Sequence, residues 1–153
     1  MMHDDLLLRA KAGVRGKRRI KTAYLRRSVS DAYYAVFHAL AALCANSLIG
    51  SSKSQSQAWR RIYRSLQHEL IRKRLSRPEA VNIYPSVSRI GAAFGQLQAA
   101  RHSADYSPVT NLKRRGDAEI LIAQAEAALS DIGSLPAEAR LGLAAYLIHV
   151  ERN

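Results

Sequence analysis

Apolar residues recur at steps of three and four along most of the chain, and this spacing restricts the fold more than any other feature of the sequence. Leu25, Val29, Ala32, Val36, Leu40 and Leu43 make one such stripe, and Val87, Ile90, Phe94 and Leu97 make another. Runs of β-branched residues are nearly absent, and only four prolines interrupt the pattern. The spacing predicts a short helix from His3 to Ala12, ended by a Gly13–Gly16 break. A long second helix follows from about Lys17 to Ser47 and stops at Gly50. After a polar stretch at 51–57, a third helix is expected from about Ser56 to Leu75, closed by Arg77-Pro78. A fourth covers about Ser86 to Ala104. Asp117 is expected to N-cap a fifth helix that reaches Ile132, and Ser134 with Pro136 opens a sixth that runs to about Glu151.

The fold class read from this pattern is all-α, an antiparallel bundle of about five to six helices, single-domain overall. Residues 1–132 form the bundle, and 133–153 an added C-terminal helix. Leu141, Leu143, Ala144, Tyr146, Leu147 and Ile148 surround most of that last helix, so it packs on the bundle or on a partner subunit.

With 153 residues the chain is long enough for one sizeable core, and 48% hydrophobic with 24% charged residues argues against disorder. Its charge is lopsided: 24 Lys and Arg against 12 Asp and Glu, net +12. Arginine supplies most of the excess, and its planar donor fork suits phosphate. Polyanionic partners are therefore favoured, although a basic surface also serves solubility. The single cysteine, Cys44, sits in an apolar run and cannot form an internal disulfide, which suits a reducing cytoplasm. The start, Met1-Met2-His3-Asp4-Asp5, lacks the pattern of a signal peptide. Residues 32–50 are interrupted by His38, Asn46 and Ser47, as in a buried bundle helix instead of a membrane span.

Three arrangements of polar residues carry possible chemistry. Beside the core stripe of the second helix run Arg27, Asp31, Tyr34 and His38, at steps of four, three and four, which places them on one narrow strip. Such a strip serves either as a hydrogen-bonded seam or as one wall of a phosphate or base pocket. On the fourth helix the apolar stripe continues into Arg101, which should point inward, with Asp105 one turn later as its natural partner. On the third helix Trp59, Ile62, Leu66 and Leu70 are expected to face inward, opposite Arg61, Arg64, His68 and Arg72. Lys73, Arg74 and Arg77 extend that charge, and Lys113, Arg114 and Arg115 add a basic loop. These are suitable phosphate contacts or a solvated face. The sequence holds no P-loop, no zinc spacing of Cys and His, no Gly-x-Ser-x-Gly elbow and no close acidic pair of the glycosidase kind, so no cofactor or metal is expected.

Two segments resemble the HEPN superfamily. Arg27-Ser28-Val29-Ser30-Asp31-Ala32-Tyr33-Tyr34-Ala35-Val36-Phe37-His38-Ala39 is similar to the second-helix signature of one subgroup. Arg101-His102-Ser103-Ala104-Asp105-Tyr106-Ser107-Pro108 is similar to its later Arg-x-x-Ala-Asp-Tyr-x-Pro element. The likeness covers roughly Asp4 to Ile132. It implies a helical bundle that commonly dimerises. In many members a late Arg-x4–6-His motif cleaves RNA without metal, with two copies meeting at the dimer interface. Members act as toxins or defence effectors, often beside a small nucleotidyltransferase, and others bind nucleotide, RNA or protein without cutting.

This sequence departs from that motif, because Tyr106 stands where the histidine after Arg101 is expected. Arg61 and His68 match the spacing literally, but on the third helix, and with 18 arginines and five histidines such matches arise by chance. The resemblance thus implies an RNA-directed homodimeric module, and a toxin- or defence-type ribonuclease if it cuts. Arg101 would contact phosphate, Tyr106 or His38 would replace the missing base, and Asp31, Asp105, Tyr34 and Arg27 would orient them. The alternative is a non-catalytic nucleotide-, RNA- or protein-binding partner of a nucleotidyltransferase.

Overall fold

The computed structural model describes residues 1–16, 21–108 and 114–149. The described residues form seven α-helices and no strand, so the fold is an all-α helical bundle, as the spacing predicts. The helices are α1 (Met2–Gly13), α2 (Thr22–Leu48), α3 (Gln57–Ser65), α4 (His68–Leu75), α5 (Val87–Tyr106), α6 (Arg115–Gly133) and α7 (Ala137–Ile148). Short 3-10 turns at Ser51–Lys53 and Pro78–Asn82 join α2 to α3 and α4 to α5. Lys17, Lys113 and Glu151, used above as a helix start, a basic-loop residue and a helix end, lie outside the described residues.

The chain divides into two compact units that interleave in sequence, Met1–His38 with Ala93–Ser130, and Ala39–Ala92 with Asp131–Asn153. In the first, the stripe residues Leu25, Val29, Ala32 and Val36 of α2 are buried, as are Phe94 and Leu97 of α5. Tyr33 is fully buried, with its ring 5.4 Å from that of Phe94. The first helix approaches the second closely at its end, where a Cβ added to Gly13 would lie 2.2 Å from the Ser28 hydroxyl. A side chain there requires the Ser28 hydroxyl to rotate away.

In the second unit the end of α2 buries Leu40, Leu43 and Cys44, and burial pushes the Cys44 thiol up to about 12, which makes it an inert core residue. Gly50 follows α2 with φ 112°, a conformation that glycine adopts at no steric cost. The third helix of the sequence reading is two helices. Leu66 and Gln67 adopt extended backbone, and the Ser65 hydroxyl donates to the Ile62 carbonyl at 2.7 Å, competing for the last turn of α3. Leu66 is buried by this break. The inward phase shifts by one residue as a result, so that Ile71 and Leu75 face the core and Leu70 is only half-buried.

That shift corrects the expected placement of Arg74. It does not extend the outer basic face but is 3% exposed. Its guanidinium donates to the Tyr146 carbonyl at 2.8 Å and to the His149 carbonyl, and the Tyr146 hydroxyl donates back to the Arg74 carbonyl at 2.9 Å. The Tyr146 carbonyl in the last turn of α7 and the His149 carbonyl just past it are thus capped by a cation from α4. Nearby, Gly91 of α5 lets the two backbones meet, since a Cβ there would stand 2.6 Å from the Leu75 carbonyl oxygen. Asp117 is also placed differently from expectation. It lies in the first turn of α6, and its carboxylate accepts from the Arg114 backbone N–H at 2.9 Å instead of starting the helix.

Replacing Arg74 with Met keeps the apolar stem and leaves two partly buried carbonyls without their donor. We expect Arg74→Met to lower the unfolding free energy by about 2–3 kcal/mol. Gly91→Ala should lower it by about 1–3 kcal/mol through overpacking against backbone. Urea unfolding with an unchanged slope and a shifted midpoint would show both effects, and an unshifted midpoint for Arg74→Met would contradict the capping role.

Candidate functional site

The candidate site is built at the end of α5, in the first unit. Val87, Ile90, Phe94 and Leu97 are all fully buried, and the same helical phase carries Arg101 inward one turn later. Its side chain is 18% exposed. One terminal nitrogen donates to the Tyr34 hydroxyl at 2.9 Å. Nε lies 2.9 Å from the Asp105 carboxylate, an ion pair without the alignment of a directed hydrogen bond. The guanidinium carbon lies 5.6 Å from the Tyr33 ring centre, 5.3 Å from that of Tyr34 and 5.6 Å from that of Tyr106. Burial opposes the charge on Arg101, but the Tyr34 phenol and the Asp105 carboxylate outweigh it and hold the group above its usual value. The cation is permanent.

Of the four strip residues on α2, Tyr34 is the one that meets Arg101. His38 follows one turn on, with its ring stacked at 6.2 Å from that of Tyr34 and edge-on at 5.4 Å to that of Phe37. Burial pulls the His38 imidazole below its usual value, and the neighbouring His3 adds to the shift. His3 is lowered as well, first by burial, with partial compensation from Asp4 at 3.6 Å. Both shifts favour the neutral ring, the form in which an imidazole accepts a proton.

Asp31 is engaged elsewhere. It is 3% exposed and accepts both donors of Arg9 on α1, at 2.7 and 2.5 Å, while Arg27 approaches at 3.4 Å. Its carboxylate thus fastens α1 to α2 and does not orient Arg101. Asp105 does so, and also accepts a long hydrogen bond from the Ser30 hydroxyl at 3.4 Å. Arg27 stays largely in solvent.

Tyr106 is 65% exposed, and its ring meets that of His102 at 5.0 Å as well as the Arg101 guanidinium. His102 is a functional neighbour that the motif comparison does not single out; its four-residue step to Tyr106 is the signal that it reaches the same ring. Beyond Tyr106, Arg26 donates to the Pro108 carbonyl at 3.4 Å.

The basic residues fall into both units. Arg114 is exposed and Arg115 donates to the Gly16 carbonyl, both in the first unit. In the second unit Arg61 and Arg64 are exposed on α3, whereas His68 is half-buried on α4 and Arg72 is paired with Glu69. The continuous basic face expected on one helix is broken by the turn at Leu66–Gln67. Among the described residues no three His, Cys, Asp or Glu side chains converge as metal ligands would, and no helix is long and apolar enough to cross a membrane.

The depressed histidines fix a pH dependence. Folded-state values below the usual 6.5 mean that the unfolded chain takes up these protons first as the pH falls. Their contribution to stability is complete above that value and declines on acidification through it. We expect the unfolding free energy to fall between pH 7.5 and pH 5.5, and His38→Gln to flatten this slope. A slope unchanged by His38→Gln together with His3→Gln would refute the assignment.

No protein-family model matches the chain, and no curated protein or solved structure is significantly similar to it.

Proposed function

We propose that this chain is an RNA-directed module of the HEPN kind, with Arg101 as its phosphate contact and the surrounding phenols and carboxylate as its support. The observation that carries this reading is the meeting of Arg101, Tyr34, Tyr106 and Asp105 at the end of α5. The net charge of +12 and the solvent-facing Arg27 and Arg114 favour a polyanion as the partner. A homodimer belongs to the same reading. The buried, unpaired Cys44 suits a reducing cytoplasm.

In its cutting form the module is a toxin- or defence-type ribonuclease. The 2′-hydroxyl of the RNA gives its proton to the His38 imidazole, or to Tyr106 once that phenol has lost its own, and attacks the adjacent phosphorus to form a 2′,3′-cyclic phosphate; the 5′-oxygen leaves with a proton taken from water, and Arg101 balances the charge on the phosphate. One observation favours the alternative of a binder that works with a nucleotidyltransferase. Tyr34 and Asp105 already engage the Arg101 guanidinium, and an incoming phosphate must compete with a carboxylate for it.

Incubation of the purified chain with RNA in EDTA separates these readings. A ribonuclease degrades the RNA, and Arg101→Ala lowers the rate on the order of 100-fold or more while the helical circular-dichroism signal persists. A binder retards the RNA on a gel, less so as salt rises, and leaves it intact. Absence of both retardation and cleavage at low salt would overturn the RNA assignment, and co-purification with a nucleotidyltransferase would then favour the protein-partner reading.

A further inference from the structure

The exposed ring of Tyr106 stands out in the first unit. A phenol ring has a large apolar face, and folding ordinarily hides it. Here the residue is 65% exposed, and yet its ring is held by the Arg101 guanidinium at 5.6 Å and by the His102 imidazole at 5.0 Å. His102 lies one helical turn before it, so the two rings share a face of α5 in its last turn. Just beyond, the chain is tied back by the hydrogen bond from Arg26 to the Pro108 carbonyl. The result is an oriented aromatic surface open to solvent, with the Arg101 guanidinium against it and Arg26 bound to the chain two residues on.

Aromatic side chains set among cations are the means by which proteins grip unpaired nucleotides: the ring stacks on a base while the cations take the neighbouring phosphates. A duplex offers no such base, since each base face is already covered by its neighbours. We propose that Tyr106 and His102 form a stacking platform for one unpaired base, so that the ligand is single-stranded RNA. This rests on the RNA reading of the same site and adds to it the residues that read strandedness.

Fluorescence anisotropy of the full chain tests the platform with three labelled probes of equal length. They are a single strand, the same strand annealed to its complement, and a strand with abasic positions that keeps the phosphates. All carry 2′-O-methyl groups, which prevent cleavage by 2′-hydroxyl attack. The single strand should bind most tightly. Tyr106→Ala should weaken it on the order of 5- to 150-fold, the range of one lost stacking contact, with little change for the abasic and duplex probes. Tyr106→Phe and Tyr106→Trp should retain single-strand affinity, and His102→Ala should lose part of it.

Equal weakening of all three probes by Tyr106→Ala, or a loss in Tyr106→Phe as large as in Tyr106→Ala, would overturn the platform in favour of a phosphate contact or a role for the hydroxyl. Wild-type chain that binds duplex or abasic strands as tightly as the single strand would overturn the platform and leave the RNA reading standing. Wild-type chain that binds none of the probes would sink both. Sedimentation of Tyr106→Ala covers the remaining occupant: conversion of a dimer to monomer would mean that a second copy covers the ring, against the proposal.

Discussion

A guanidinium lies on the stripe that otherwise buries Val87, Ile90, Phe94 and Leu97, and the end of α5 is organised around that charge. An unpaired cation in such a position is costly, so its neighbours are set by necessity. Asp105, four residues on, supplies the counter-charge, Tyr34 supplies an acceptor from α2, and three phenol rings present their faces to the cation. Because Tyr33 and Tyr34 are consecutive, α2 contributes one fully buried ring and one half-buried ring to the same cation. The polar centre of the first unit is therefore continuous with its apolar core.

Two other charges act as fasteners. Asp31, hidden on α2, grips Arg9 of α1 through both carboxylate oxygens, and Arg74, hidden on α4, holds the carbonyls at the end of α7. In each case one partner is buried and fixed by its own helix, while the other comes from an element distant in sequence. Apolar packing is non-directional, and these directed contacts of a charged group add a restraint on helix register.

The helical stripes were readable because burial follows a 3.6-residue period, and with them the inward aim of Arg101 and its pairing with Asp105. The strip Arg27, Asp31, Tyr34 and His38 was readable as a strip but not as two separate engagements, since Arg9, the partner of Asp31, lies on another helix and no local rule selects it. Arg74 was misplaced because the break at Leu66–Gln67 carries no proline or glycine to announce it. His102 is next to Arg101 in sequence, and its relation to Tyr106 follows only from the four-residue step of the helix.

That unannounced break has a consequence for how the chain tolerates change in length. Each residue of an α-helix turns the next side chain by about 100°, and the extended backbone of Leu66 and Gln67 interrupts that count, so that α4 starts in a phase of its own. A residue lost or gained inside α4 ahead of Arg74 would swing Arg74 toward water, whereas one at the extended joint leaves the internal order of α4 as it is. Tolerance of a change in length is thus expected to differ sharply between neighbouring positions of this segment.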